Sequence, residues 1–494
     1  VKAADARKTT SPSAHSCPHH PARLSARPTA RVSLLVAVAS PCNNDTVDNK
    51  HLSSVLEDGE TTMMHQAGSK HFSEDVWRRL EPWEQRLDKE LAQLEPELIR
   101  IRRHLHAHPE PSGEELETSK FVTKRIQQAG VDAWIARSDV GNNVGVVADL
   151  TVGKPAADAP LIALRCDLDA LRMPDEKQVE YASRIPGVAH ACGHDAHTAV
   201  LLGSALAMSA INSLPGDLAD DEGIRLRFLF QPAEETSHGA EWLVSQGAME
   251  DVDAVLGMHV DPERKAGEVG IRYGALTANC DEIEIEINGH GGHAARPHHS
   301  VDPIAAAAHL VSTLYEFLPR TVDSRSAAVV TIGKISGGYA PNVIPERVEL
   351  SGTLRTTNTE TRDILKSRLQ DICTGVEQTS GAKILLRFRQ PLKAVVNHPR
   401  VTAALEQAAH RVLGPENTAI IDQPSMGGED FSVYLDHAPG ALLRLGCGIS
   451  GAESTFLHSS MFDIDERAIG FGVRILLRAA LVLSADMRRS AKKE

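Results

Sequence analysis

The sequence predicts an α/β fold with two parts: a larger domain on a mainly parallel sheet, and a ferredoxin-like βαββαβ domain inserted into it. Three observations carry this. Between residues 86 and 278, apolar β-branched runs alternate with helical runs, the pattern of a parallel sheet covered by helices. Over 279–390 the order becomes strand, helix, strand, strand, helix, strand. The first rhythm resumes over 391–494. A chain of 494 residues is long enough for about three domains.

The elements follow in order. WEQRLDKELAQLEPELIRIRRHLHAHPE has apolar residues at helical spacing, so a helix should end near His106, before Pro109 and Pro111. VGVVADL and LIALRCDL read as strands, AHTAVLLGSALAMSAI as a helix, IRLRFLF as a strand, AEWLVSQGAM as a helix and AVLGMHV as a strand. DEIEIEING alternates strictly and should be a strand with one solvated face. DPIAAAAHLVSTLYEFL is a helix with Asp302 as its N-cap and Pro303 at its first position. AAVVTIGKI and RVELSGTLRT are strands, ETRDILKSRLQDICTGVEQ a helix and AKILLRF the last strand of the insertion. RVTAALEQAAHRVL, ALLRLG and ERAIGFGVRILLRAALVLSADM return as helix, strand and helix.

Residues 1–85 differ from the rest, and their start, residues 1–44, is rich in Ser, Pro, Ala, Arg and His with a short apolar patch at Val32–Ala39. This composition suits an unstructured extension or an over-long reading of the gene. The competing reading is a targeting segment. Asn44-Asp45-Thr46 matches the glycosylation sequon, a pattern short enough to recur by chance.

Composition excludes several classes. Lys plus Arg number 52 against 66 Asp plus Glu, a net charge of −14, which disfavours binding to nucleic acid or an anionic membrane surface. No run approaches 18 uninterrupted apolar residues, so no membrane span is expected. Seven thinly spread cysteines without a Cys-x-x-Cys pair disfavour a disulfide framework and suit a reducing compartment, so the expected location is cytoplasmic. GCGISG (446–451) formally matches a dinucleotide fingerprint, but no amphipathic helix opens from it and it reads as a Gly-rich loop. Phosphate-loop and G-x-S-x-G motifs are absent from the sequence.

Four segments concentrate chemistry. HACGHD (190–195) precedes a helix, FQPAEE (230–235) and GMHV (257–260) close strands, and FLHSSMFD (456–463) follows one. In open α/β sheets the carboxyl ends of the strands share one crevice, so these distant segments can meet. Cys192, His194, Glu235, His259 and His458 are five donors of the types that bind zinc and its neighbours. Five exceed one tetrahedral site with an open position and suit two metals about 3.5–4 Å apart that share a ligand. Of the pair Glu234-Glu235, one can bind metal and the other act as general base. Taken singly, each has an ordinary structural reading: a buried small thiol, a core histidine, an acidic helix start. Asp169 could hold a ligand histidine through its second ring nitrogen, while Asp167 reads as a turn residue.

RRHLHAHPEPSGEE, RCDLDAL, GVAHACGHDAHTAVLLG, FQPAEE, GMHV, NGHGGHAARPHHSVDPI, PNVIPERVELSGTLR, MGGEDFS and LHSSMFDIDE occur in that order over about four-fifths of the chain. In this the chain resembles the di-metal amidohydrolases of the aminoacylase type, including hippurate hydrolases, N-acyl-L-amino acid amidohydrolases and indole-acetyl-amino acid hydrolases. The resemblance implies Cys192 as bridging ligand, with His194, Glu235, His259 and His458 completing a site for two divalent ions, Zn2+ or Mn2+. It implies Glu234 as catalytic base and acid, and the insertion as a lid through which a homodimer forms. His293 would then reach a neighbouring active site to steady an oxyanion, and Asn342 and Arg355 would hold the carbonyl and carboxylate of a small N-acyl amino acid substrate. The implied reaction is hydrolysis of the acyl–amino acid amide. The alternatives are a dipeptidase, a deacetylase of an amino-acid precursor, or a non-catalytic metal-binding relative. Two departures bear on substrate: Thr236-Ser237-His238 stands where the family usually has glycines, and Arg172-Met173 where proline is commoner.

Overall fold

The computed structural model describes residues 72–491 except 138–142, 214–222, 450 and 452–455. The Val32–Ala39 patch and the Asn44 sequon lie outside the described residues. The first helix among the described residues, α1 (Glu74–Ala107), buries Val76, Trp77, Leu80 and Trp83 in its opening turns and continues the same stripe through Leu87, Leu91, Leu98, Ile101 and Leu105. The boundary expected at residue 85 therefore falls inside α1.

The larger sheet contains β1 (Asp132–Arg137), β2 (Asn143–Val152), β3 (Leu161–Asp167), β4 (Ile224–Gln231), β5 (Val252–Lys265), β6 (Val269–Ile271), β15 (Thr418–Ile420) and β16 (Gly440–Gly448). Its order is β1-β2-β4-β3-β5-β16-β6-β15. The central pairings β4/β3, β3/β5 and β5/β16 are parallel, as is β6/β15. The pairings β1/β2, β2/β4 and β16/β6 are antiparallel. All seven residues of β3 are buried, as a strand covered on both faces requires.

Alternate strand residues feed two cores. Ile162, Leu164, Leu256, Met258 and Leu443 join the core containing α1, α3 (His194–Ser213), α7 (Pro399–Leu413) and α8 (Arg467–Ala491). Ala163, Val255 and Leu442 pack on the other face with α4 (Gly239–Ser245), Phe431 and Tyr434. Here α4 ends at Ser245, short of the helix expected through Met249. Helix α8 is long and apolar enough by composition to cross a membrane, but most of it is buried in the core, where it packs on α1, α3 and α7. A further helix, α2 (Leu116–Gln128), precedes β1.

Between β7 (Gly274–Ala275) and β14 (Val396–Asn397) lies a second sheet. It contains β8 (Asn279–Asn288), β10 (Ala328–Gly337), β12 (Arg347–Thr356) and β13 (Lys383–Leu392) in the antiparallel order β10-β12-β8-β13. A short pair, β9 (Gly292–His293) with β11 (Val343–Ile344), stands beside it. Helices α5 (Pro303–Phe317) and α6 (Thr359–Ser380) bury Leu310, Leu314, Leu365 and Leu369 against Ile283, Ile285 and Ile287. The glutamates that alternate with those isoleucines face away. Asp302 caps α5 by accepting from the Ile304 N–H at 2.9 Å.

Candidate metal centre

Because β3, β4, β5 and β16 run in the same direction, their carboxyl ends open on one edge of the sheet. The segments that leave this edge carry the site. Cys192 and His194 stand at the N-terminus of α3, Glu234 and Glu235 follow β4, His259 lies on β5 and His458 follows β16. Backbone strain gathers here: Ala233, Ser237 and His458 all have φ near +60°, the left-handed region that side chains disfavour.

The five expected donors form two groups of three around one thiol, and His194 also groups with Glu234 and Glu235 and with Asp167 and His197. Cys192, His194 and His259 lie within 4.8 Å of one another, and so do Cys192, Glu235 and His458. The thiol of Cys192 belongs to both, 3.5 Å from His259 Nε2. His458 Nε2 stands 3.4 Å from Glu235 Oε1. His194 Nε2 is buried without a hydrogen-bond partner, an orphaned nitrogen aimed into the cluster. Sulfur, nitrogen and oxygen donors arranged around a common thiol suit a pair of borderline divalent cations.

The surrounding shell fixes these donors. Asp169 is buried, and its carbonyl and Oδ1 take His194 Nδ1 at 3.0 and 3.2 Å, which leaves Nε2 as the free donor. Its Oδ2 accepts from the Ser112 hydroxyl at 2.6 Å and the Glu235 N–H at 3.0 Å, so one carboxylate aligns both a histidine and the glutamate turn. Asp167 is not a turn residue. It is fully buried, accepts from Arg165 at 2.9 Å and pairs with His197 Nδ1 at 2.5 Å. His197 Nε2 in turn accepts the Val260 N–H at 2.9 Å and pins the end of β5 beside His259. Arg165 also reaches Gln231 and Asp430, each at 2.8 Å.

Glu234 lies 4.0 Å from His194 Nε2 and shares a carboxylate cluster with Glu429 and Asp430. Burial, followed by Glu429 and Asp430, raises its carboxyl well above the usual range.

A cavity of about 460 Å³ opens above the cluster, lined in part by Cys192, Glu234, Glu235, His259, His458 and Arg355. His293 and Asn342 are not among the residues that line it. They sit together at the β9/β11 pair, His293 on β9 and Asn342 in the turn before β11, where the Asn342 carbonyl accepts the Ala294 N–H at 3.1 Å, and both are exposed. His238 stacks on Trp242 with ring centroids 6.0 Å apart instead of joining the ligand groups. Gly446 has a packing reason to be glycine, since a Cβ there would come within 2.1 Å of the Lys265 carbonyl.

Sequence reasoning assigned no role to His197, Arg165, Glu429 or Asp430. Signals were present for two of the four: His197 lies one helical turn after His194, and Arg165 is a lone charge in an otherwise apolar strand.

Known proteins resemble this chain over most of its length. A Synechocystis protein described as a probable hydrolase is 44% identical over 79% of this chain and 97% of its own length. The N-acetyl-L-cysteine deacetylase of Bacillus subtilis is 37% identical over 77% of this chain and 86% of its own. A Bacillus subtilis structure described as a dinuclear metal binding peptidase superposes with a TM-score of 0.66 at 31% identity, covering 79% of this chain and 98% of that one. The model of peptidase family M20/M25/M40 matches residues 163–482, and the chain belongs to that family.

Proposed function

We propose that the protein is a metal-dependent amidohydrolase that cleaves the amide bond of N-acyl amino acids. The observation that carries this is the Cys192 thiol shared by two three-donor groups, with the Glu234 carboxyl beside them. The similarity to a deacetylase of an N-acyl amino acid supports the same substrate class. Cys192, His194 and His259 would hold one ion, and Cys192, Glu235 and His458 the other. Zn2+ and Mn2+ both suit this mixed donor set. Bound there, the ions supply Lewis acidity toward the acyl carbonyl and toward a water molecule. Glu234 accepts the proton of the attacking water and returns it to the departing amine. Asp169 keeps His194 and the Glu235 turn in place throughout.

We read the 279–390 unit as a ferredoxin-like lid. Its support is a strand order, β10-β12-β8-β13, that places the first and third strands at the centre. Arg355 on β12 reaches the cavity and suits the substrate carboxylate. A homodimer through this unit is supported by the exposed β10 edge, with Val329 and Ile335 in the open, and by His293, which does not line its own chain's cavity. In a dimer His293 and Asn342 would serve the partner's site, and closure would exclude water.

The test is amine release from acetyl-, benzoyl- and indole-acetyl-amino acids by the full chain, with and without chelator. Release that chelator abolishes and added metal restores is expected. A folded, metal-loaded protein that releases nothing overturns the proposal.

A further inference from the structure

A second guanidinium faces the same cavity. Arg444 lies on β16, where it is the direct partner of His259 in the parallel β5/β16 pairing, so the two side chains leave the sheet on one face. Every other residue from Gly440 to Cys447 is buried, and Arg444 is half-buried. A charge in the middle of a central parallel strand is out of pattern there.

The charges around it are mostly committed. Asp281 is held by Arg362 and Lys366, and Glu429 by Arg165. Arg355 donates to Cys280 Sγ at 2.8 Å and to the Met426 carbonyl at 3.2 Å. Glu234 and Glu235 belong to the ligand cluster, and Glu282 is exposed on β8. Among the described residues, Arg444 has neither a hydrogen bond nor an ion pair. A guanidinium partly withdrawn from water and left unpaired is destabilising in itself, and a bound carboxylate offsets that cost through a two-point fork.

We propose that Arg444 binds a second carboxylate of the substrate, so that the preferred substrates carry a negative charge beyond the α-carboxylate assigned to Arg355. The inference rests on the amidohydrolase reading. The extra carboxylate belongs either to the acyl group or to the amino-acid side chain, and the two sources are separable by assay.

The experiment measures kcat/KM of the metal-loaded full chain on N-acetyl-leucine, N-acetyl-glutamate and N-succinyl-leucine, for wild type, Arg444→Gln and Arg444→Lys. Wild type should favour one charged substrate over N-acetyl-leucine by about 10- to 100-fold, the range for hydrogen bonds to a charged group. Arg444→Gln should erase that ratio, and Arg444→Lys should keep part of it. Preference for N-succinyl-leucine places the carboxylate on the acyl side, and preference for N-acetyl-glutamate places it on the amino acid. Turnover of N-acetyl-leucine equal to or above both charged substrates overturns the role of Arg444. Equal losses on all three substrates in Arg444→Gln do the same. No turnover of any of the three by a protein that still releases amine from benzoyl- or indole-acetyl-amino acids overturns the role of Arg444 alone, whereas no release from any N-acyl amino acid overturns the amidohydrolase reading and, with it, this one.

Discussion

The double membership of Cys192 makes a prediction about metal stoichiometry. Removing its thiol takes one donor from each group, so both fall from three protein ligands to two. Removing His259 depletes only the group of Cys192, His194 and His259, and removing His458 only the group of Cys192, Glu235 and His458. Loss of a residue that merely supports a ligand weakens metal binding about 10- to 100-fold. Loss of a ligand should exceed that. After exhaustive dialysis against metal-free buffer, elemental analysis should therefore find two ions per wild-type chain, close to one in His259→Ala and in His458→Ala, and close to none in Cys192→Ala. Cys192 and His259 are both buried, so circular dichroism and thermal melting must accompany the counts, and Cys192→Ser provides a variant of nearly equal size. Two tightly held ions in a folded Cys192→Ala protein would refute the shared-ligand argument. A similar loss in all three variants would refute the division into two groups.

Glu234→Gln should retain both ions and lower kcat by about 10²- to 10⁴-fold, the range for a positioned acid–base group, as measured by amine release. Asp169→Ala frees His194 Nδ1 and the Glu235 N–H together and should weaken metal binding by about 10- to 100-fold in a chelator competition. Arg102→Met should cost about 3–5 kcal/mol in denaturant unfolding, because the guanidinium is fully buried and bonds Asp195 at 2.8 Å and Asp463 at 2.9 Å. Burial alone would raise the Asp463 carboxyl, but Arg102 and the Tyr181 hydroxyl outweigh it and hold the group below its ordinary value. A depressed folded pKa stabilises fully above about pH 4 and loses that contribution as pH falls. The acid-side fall in stability should thus be shallower in Arg102→Met than in wild type.

What was legible in the sequence was whatever rests on local periodicity. RVELSGTLRT is β12 residue for residue, and the alternating isoleucines of DEIEIEIN face α5 and α6 as the pattern required. The five donors were legible for a different reason. Cys192 and His194 open a helix, Glu235 follows a strand, His259 lies within β5 and His458 in the loop beyond β16, and the parallel strands bring these segments to one place. The shell behind the donors was not legible, because its bonds join residues with no spacing rule between them. Arg165 and Asp430 are 265 positions apart and Arg102 and Asp463 are 361 apart, yet each pair is under 3 Å. Asp167 shows the consequence. Read locally it is a polar residue closing a strand, which is the ordinary position of a turn. In three dimensions the same position holds it against Arg165 on its own strand and His197 on a helix that begins 27 residues later. Arg165 was visible as a charge within an apolar strand, and so was Arg444, and in both cases the irregularity lies inside a strand of the sheet that carries the site. The first charge meets carboxylates from the protein itself. The second meets none among the described residues, and that difference separates a residue that builds the site from one that awaits what the site binds.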